Sequence, residues 1–356
     1  MKQMRRWPLA VAVGLMLSAC GGGGDGDQAP RASYGKLVSF GDSLSDVGSY
    51  ATTGLVAATG GGKFTVNGGS DSRIWVQRLA AQLGVDTPCA YRTGLESSGS
   101  LAGFAQTVTT HTGCHAYAQG GARVTHPVGP GHKLLGDAMG ATTVPLVTQV
   151  ADHLSQSGDR FAADDLVTVL GGANDLFIQL ATFSATVGAG GNATVAATTA
   201  VTAMATAATE LATLVKDQIL AKGAQRVVVV EVPDVSQTPM AVGQGSSAQA
   251  LILNMVTTFN TTLRTALGSS DRLLVVDAFA VNQDQLAHPD QYQLSNVSDT
   301  ACNLSVVSSS LVCSPATLNT GDTSRYLFAD AVHPTPYGHS LLAQLVAIRM
   351  AQRGWL

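Results

Sequence analysis

"KLVSFGDSLSDVGSY", residues 36–50, holds an apolar run that stops abruptly. Leu37, Val38 and Phe40 end at Gly41, and small polar residues follow. Two readings meet at Ser43. It is either a nucleophile held at the end of a strand or a turn serine that caps the next helix.

Three further runs share the character of the first. Leu166–Leu170, Arg226–Val232 and Arg272–Val276 are short, rich in Val and Leu, and apolar without strict alternation. With Lys36–Phe40 they read as parallel strands buried on both faces. Residues 115–119, "HAYAQ", are a weaker candidate for a further strand before Gly120. Helical spacing fills the gaps. Segments 72–84 and 193–223 each stop at a glycine, 246–268 follows the third run, and 335–354 closes the sequence. The Thr and Val content of 193–223 lowers its intrinsic propensity, so packing must hold it helical. Alternating strands and helices predict an open, doubly wound α/β sheet, whose sites lie at the C-terminal ends of its strands.

The residues that follow the strands are therefore the place to look for chemistry. Gly41-Asp42-Ser43 follows the first, and Gly171-Gly172-Ala173-Asn174-Asp175 follows the second. Asp330-Ala331-Val332-His333-Pro334 forms a loop before the last helix. A serine hydroxyl is a poor nucleophile until a base takes its proton. His suits that task near neutral pH, and a carboxylate on its other nitrogen fixes the tautomer. Asp330 and His333 are three apart, within reach of each other on one turn. Each residue also has a plainer use: Ser43 as a cap, Asn174 in a turn, Asp330 at a helix start, His333 in loop packing. Asp42, Asp46 and Asp175 read as turn, cap or supporting residues. His339, inside the last helix, is expected to face the rim or solvent. His288, before Pro289, is expected to have no acidic partner at a comparable offset.

Four stretches, "SFGDSLSDVG", "YAQGGA" (117–122), "GGANDLF" (171–177) and "DAVHPTPYGH" (330–339), resemble in order the four sequence blocks of the GDSL (SGNH) hydrolase superfamily. "SRIWVQRLAAQLG" (72–84) is similar to the helix after the first block in the lipase/esterase branch. The resemblance covers the chain from Tyr34 onward. It implies a flavodoxin-like three-layer α/β/α sandwich with a central, mostly parallel five-stranded sheet. It also implies a serine carboxylester hydrolase that needs no metal or organic cofactor. Ser43 is then the nucleophile, His333 the general base and acid, and Asp330 its orienting acid. The N–H of Ser43, that of Gly121 and the Asn174 amide would form the oxyanion hole. Gly121 is favoured over Gly120 from the register of an Asn-x-x-x-x-Gly pattern, although Ala116 stands at the Asn position. Ser49 likewise stands where Asn is common, which puts a local hydrogen bond in doubt. Phospholipase or lipid acyltransferase activity is the alternative within the family; a non-catalytic binding lipoprotein is a further one. The Gly-x-Ser-x-Gly elbow of the α/β-hydrolases is a poor fit, since Leu44-Ser45 follow Ser43. Segment 125–143 and the loop around Cys302 and Cys313 are expected to border the cleft and set substrate choice.

The N-terminus reads as a targeting segment. Lys2, Arg5 and Arg6 precede the apolar stretch Leu9–Leu17, which is too short to span a bilayer. Leu17-Ser18-Ala19-Cys20 resembles a bacterial lipobox, so residues 1–19 are expected to be a signal peptide and Cys20 the lipidated N-terminus. Gly21 after that Cys implies the outer membrane, on its periplasmic or surface face, by the usual sorting pattern; the alternative is an ordinary secretory signal and a secreted protein. Residues 20–33 form a Gly-rich tether, and 34–356 one hydrolase domain. No appended barrel is expected after the final helix. The remaining cysteines, Cys89, Cys114, Cys302 and Cys313, suit two disulfides in an exported chain. Three pairings are possible, and nearest-neighbour pairing is expected. Free buried thiols are a second use of these cysteines, and a metal site at His111, Cys114 and His115 is a third, without a recognised ligand spacing.

Composition narrows the partners. The 356 residues are 45% hydrophobic and 12% charged, which argues against disorder. Of 20 Lys and Arg, three lie in the signal, leaving 17 against 24 acidic residues and a net charge of −7. Without a basic run, nucleic acid is excluded as a natural partner. An ester substrate and a membrane, held through the lipid anchor, are the partners expected.

Overall fold

The computed structural model describes residues 32–96, 99–135 and 143–356. The expected signal peptide, Cys20 and nearly all of the tether lie outside the described residues, as do 136–142 of the segment expected beside the cleft.

The chain opens with strand β1 (Lys36–Gly41) and helices α1 (Thr53–Thr59) and α2 (Trp75–Leu83). A side hairpin, β2 (Arg92–Leu95) and β3 (Gln106–Thr110), precedes α3 (Leu146–Ser157). Then come β4 (Asp165–Leu170), α4 (Ala173–Gly188), α5 (Ala193–Leu214), β5 (Arg226–Val230), α6 (Pro239–Gly243) and α7 (Ser246–Leu267). Strand β6 (Leu273–Val276), α8 (Ala278–Ala287), a small parallel pair β7 (Asn296–Thr300) and β8 (Tyr326–Phe328), and α9 (Pro336–Gln352) complete it. Among the described residues no helix is long and apolar enough to cross a membrane.

The central sheet runs β1-β4-β5-β6, all parallel, with Leu37 opposite Leu166, Val167 opposite Val227 and Val229 opposite Val275. Successive strand residues feed two different cores. Val38, Phe40, Val167 and Val229 pack with α3, α4, α5 and α7 through Val150, Leu176, Leu211 and Phe259. Leu37, Leu166, Val228 and Val230 pack with α2 and α9 through Trp75, Leu79 and Val346. Both faces are covered, which is why the strands show no polar alternation.

The five-stranded expectation needs correction. Residues 115–119 run beside β1 but make only a one-residue bridge, Ala116 to Ser39. The Ser39 N–H donates to His115 O, and Tyr117 and Gln119 donate to Ser39 O and Gly41 O. The Cys89–Cys114 disulfide on one side and the Gly120-Gly121 turn on the other keep this segment short. Strand β5 also ends earlier than expected. The Asn260 amide of α7 takes both the N–H and the C=O of Val232, so the ladder stops. The helix expected over 193–223 is regular only to Leu214. A wider π turn, Val215–Leu220, follows and keeps Val215, Ile219 and Leu220 buried. Its threonines bond back to carbonyls four residues earlier, as Thr198 does to Thr194 and Thr202 to Thr198.

Candidate active site

Parallel strands end on one rim, and β1 delivers Ser43 to it. Only glycine fits at 41, because a Cβ there would sit 2.4 Å from Leu170 O. The Gln149 side chain of α3 grips this strand end, accepting from Gly41 N at 2.9 Å and donating to Gly41 O at 2.8 Å. Asp42 then folds the chain into a tight turn: its carboxylate accepts from Leu44 N, and its carbonyl from Ser45 N. Ser43 stands at the tip of that turn. It caps no helix, since α1 begins only at Thr53. The serine projects from a strand-end turn, not from a helix cap.

His333 Nε2 lies 2.9 Å from Ser43 Oγ. Its Nδ1 lies 2.9 Å from both Asp330 oxygens. Asp330 also accepts the N–H groups of Val332, His333 and Ser310. Burial alone would raise the Asp330 pKa. The His333 charge and the bonds from His333, Ser310 and Val332 outweigh it and hold the carboxyl well below the usual range. Asp42 goes the other way. Burial pushes it up to about 7, and its second oxygen is buried with no partner among the described residues.

The other expected residues gather nearby. Asn174, in the first turn of α4, donates to Ala122 O at 2.8 Å and so lies beside the 120–122 turn. Gly120 N–H is taken by Asp46 at 2.9 Å, and Gly120 O by the Tyr50 hydroxyl. Among the described residues the N–H groups of Ser43 and Gly121 have no acceptor. Gly121 adopts φ +78°, and a Cβ there would meet Pro130 O at 2.3 Å. Asp175 ties α4 to residues 123–124, accepting from the Arg123 side chain at Nε and from the main-chain N–H of Val124. At position 49, Ser49 Oγ donates to Asp46.

Three expectations fail. His339 is fully buried, not at the rim or in solvent, because the first turn of α9 packs inward behind His333. Burial and nearby cations, His333 first among them, lower its pKa to about 3. His288 does have an acidic partner, Asp284 at 2.8 Å, but this exposed pair lies outside the cleft. The cleft itself is not bordered by the described part of 125–143 or by the Cys302–Cys313 loop. Its walls come from the segment after β5, from α8, from β8 and from α9, with Phe177, Val281, Phe328 and Leu345 among the apolar lining. Alternation of strand and helix gave the rim but no sign of which later segments would fold over it.

The cysteines pair as neighbours, Cys89 with Cys114 and Cys302 with Cys313. Cys114 is thus no thiolate for a metal, and His111 is engaged with Thr93. Sequence reasoning also missed the loop Lys63–Asn67. Phe64 packs 5.0 Å from the His333 ring, and Thr65 Oγ1 donates to Pro334 O. The glycine cluster around it was the available signal.

A hydroxyl beside an imidazole whose far nitrogen faces a carboxylate can lose its proton as it attacks a carbonyl. The chain is similar to several known proteins. A GDSL esterase/lipase of Arabidopsis thaliana is 29% identical over 72 residues, about one fifth of this chain and one fifth of that protein. Among solved structures, an extracellular lipase from Streptomyces rimosus is 15% identical with TM-score 0.42, covering 88% of this chain and 99% of the lipase. An acetylxylan esterase from Geobacillus stearothermophilus is 11% identical with TM-score 0.39, covering 90% of this chain and 95% of the esterase. The family model described as GDSL-like Lipase/Acylhydrolase matches residues 37–346, from β1 into α9. With the match spanning nearly all of the described fold, the chain belongs to the GDSL-like lipase/acylhydrolase family, a family of ester-hydrolysing enzymes.

Proposed function

We propose that the protein is a serine carboxylester hydrolase. The observation that carries this reading is the 2.9 Å approach of Ser43 Oγ to His333 Nε2, with Asp330 on the opposite nitrogen. Ser43 gives its proton to His333 Nε2 as Oγ attacks the ester carbonyl carbon. Asp330 stabilises the imidazolium. The oxyanion is received by the N–H groups of Ser43 and Gly121 and by Asn174 Nδ2. Gly121 is supported over Gly120 because the Gly120 N–H already serves Asp46. The C–O bond to the alcohol then breaks, and His333 protonates the departing oxygen. A water that loses its proton to His333 attacks the acyl-enzyme, and the carboxylic acid leaves as Ser43 recovers its proton.

The test is labelling with a fluorophosphonate probe and hydrolysis of p-nitrophenyl butanoate, in wild type and Ser43→Ala. Labelling should vanish and turnover fall by about a thousandfold or more. Equal turnover in the two proteins refutes the assignment.

Localisation is part of the proposal. Residues 1–19 act as a lipoprotein signal and Cys20 carries the lipid, with residues 20–33 as the tether of a single hydrolase domain. The lipobox-like Leu17-Ser18-Ala19-Cys20 supports this, and two disulfides suit an oxidising compartment. Metabolic labelling with a fatty acid should mark the wild type and not Cys20→Ser.

A further inference from the structure

Asp330 meets one hydrogen-bond donor from outside its own loop among the described residues. The Ser310 N–H reaches its second oxygen at 2.7 Å. Ser310 opens a short 3₁₀ turn, Ser310–Val312, inside the loop closed by the Cys302–Cys313 disulfide. Both ends of that loop are anchored. At the first end, Cys302 N–H donates to the carbonyl of Ala329, the residue before Asp330. At the other, Cys313 N–H donates to Ser310 O.

Asn67 joins this loop to the imidazole. Its side chain is fully buried. Its Nδ2 donates to Ser310 O at 2.9 Å and to Lys63 O and Thr65 O, while its Oδ1 accepts the Lys63 N–H. Its own N–H donates to Cys313 O at 2.9 Å. One amide therefore fixes two supports. The 63–67 loop presses Phe64 on His333 and bonds Thr65 to Pro334, and the Ser310 turn holds Asp330.

We infer that Ser310, through its main-chain N–H, and Asn67, which fixes that N–H in place, are positioning residues for the Asp330–His333 pair. The inference rests on the hydrolase reading given above. Neither residue lines the cleft, and both reach it through the Asp330–His333 pair and the 63–67 loop. A carboxylate that loses its outside donor is free to rotate away from His333 Nδ1. Turnover then falls while substrate binding stays.

The main chain at Ser310 has the geometry that proline takes. Ser310 is the first residue of its turn, a position that accepts proline. Ser309 before it is extended, at φ −159° and ψ 166°, as a following proline requires. Among the described residues the Ser310 hydroxyl is buried without a partner, so its removal breaks no hydrogen bond there. Ser310→Pro replaces the N–H by a ring methylene, which removes the donor and pushes the Asp330 carboxylate from its place, and Ser310→Ala keeps the N–H. We expect kcat on p-nitrophenyl butanoate to fall by roughly tenfold or more in Ser310→Pro, since one hydrogen bond to a charged group is lost and the carboxylate is displaced. KM should stay within about twofold, and fluorophosphonate labelling should slow in parallel with kcat. Ser310→Ala should behave as wild type. If circular dichroism shows Ser310→Pro unfolded, Asn67→Asp is read by the same kcat and KM criteria. It removes the donor to Ser310 O at equal size. Wild-type kcat in a folded variant overturns the inference, as does an equal loss in Ser310→Ala and Ser310→Pro. Ser43→Ala separates the two levels. If it stays active, the hydrolase reading falls; if it is inactive while Ser310→Pro is normal, only the positioning role falls.

Discussion

The Asp46 carboxylate accepts the Gly120 N–H at 2.9 Å across 74 residues of chain. It also accepts the N–H groups of Gly48 and Ser49 and the Ser49 hydroxyl. The strand-end turn that carries Ser43 is thus tied to the turn that carries Gly121. Burial raises the Asp46 pKa, and these four donors oppose the rise. Asp46→Asn keeps the shape but turns an amide NH₂ toward donors. The loss should be about 2–4 kcal/mol of stability, the cost of leaving buried donors unpaired. Urea unfolding measures it, and an unchanged midpoint would contradict the link.

His333 and Asp330 should act as one unit. On the proposed mechanism, His333→Ala lowers kcat by about 10⁴-fold or more, and Asp330→Ala by about 10²- to 10⁴-fold. The double variant should be no slower than His333→Ala, because Asp330 works only through the imidazole. Steady-state kinetics on the three proteins checks this. Losses that multiply would mean that Asp330 has a separate task.

What could be read in the sequence was what repeats locally. Val- and Leu-rich runs marked four strands because both of their faces are covered, and parallel order then placed Ser43, Asn174 and the last loop on one rim. Asp330 and His333 were legible because their bond spans three residues of one turn. What depends on distant pairing was not. Gln149 gripping Gly41, Asp46 meeting Gly120 and Asn67 meeting Ser310 join segments 74 or more residues apart, and no local pattern announces them. His339 was misplaced for a related reason. α9 is covered by the 63–67 loop as well as by the sheet, so a polar residue on a short helical face fell inside.

The cleft should select an apolar acyl chain. Val281 of α8 and Leu345 of α9 line it along with Phe177 and Phe328. Each methylene buried there gains about 0.8 kcal/mol, or roughly fourfold in kcat/KM. In wild type, kcat/KM should climb from p-nitrophenyl acetate to the hexanoate. Val281→Trp should flatten that climb while leaving acetate turnover nearly as it was. The ratio of the two esters is taken within one protein, so a loss of folded enzyme does not affect it. An unchanged ratio would place the acyl chain elsewhere.

His153 should make the protein acid-sensitive. It is 1% exposed, stacks on Phe161, touches Phe40 and Tyr117, and has His115 and Lys36 nearby. Burial, then His115 and Lys36, lowers its pKa from the ordinary 6.5 to about 4. Between those pH values the unfolded chain binds a proton that the folded protein excludes. The stability contributed by the neutral ring is therefore complete above about pH 6.5 and drains away as pH falls toward 4. His153→Phe has no proton to exclude. Its loss of unfolding free energy between pH 7 and pH 4.5 should be smaller than that of wild type by about 2 kcal/mol. Comparing the difference between two pH values cancels the packing change and the lost contact with the Tyr117 hydroxyl, which act at both. Urea melts at the two pH values decide it: parallel losses in wild type and variant would assign the acid sensitivity to other groups.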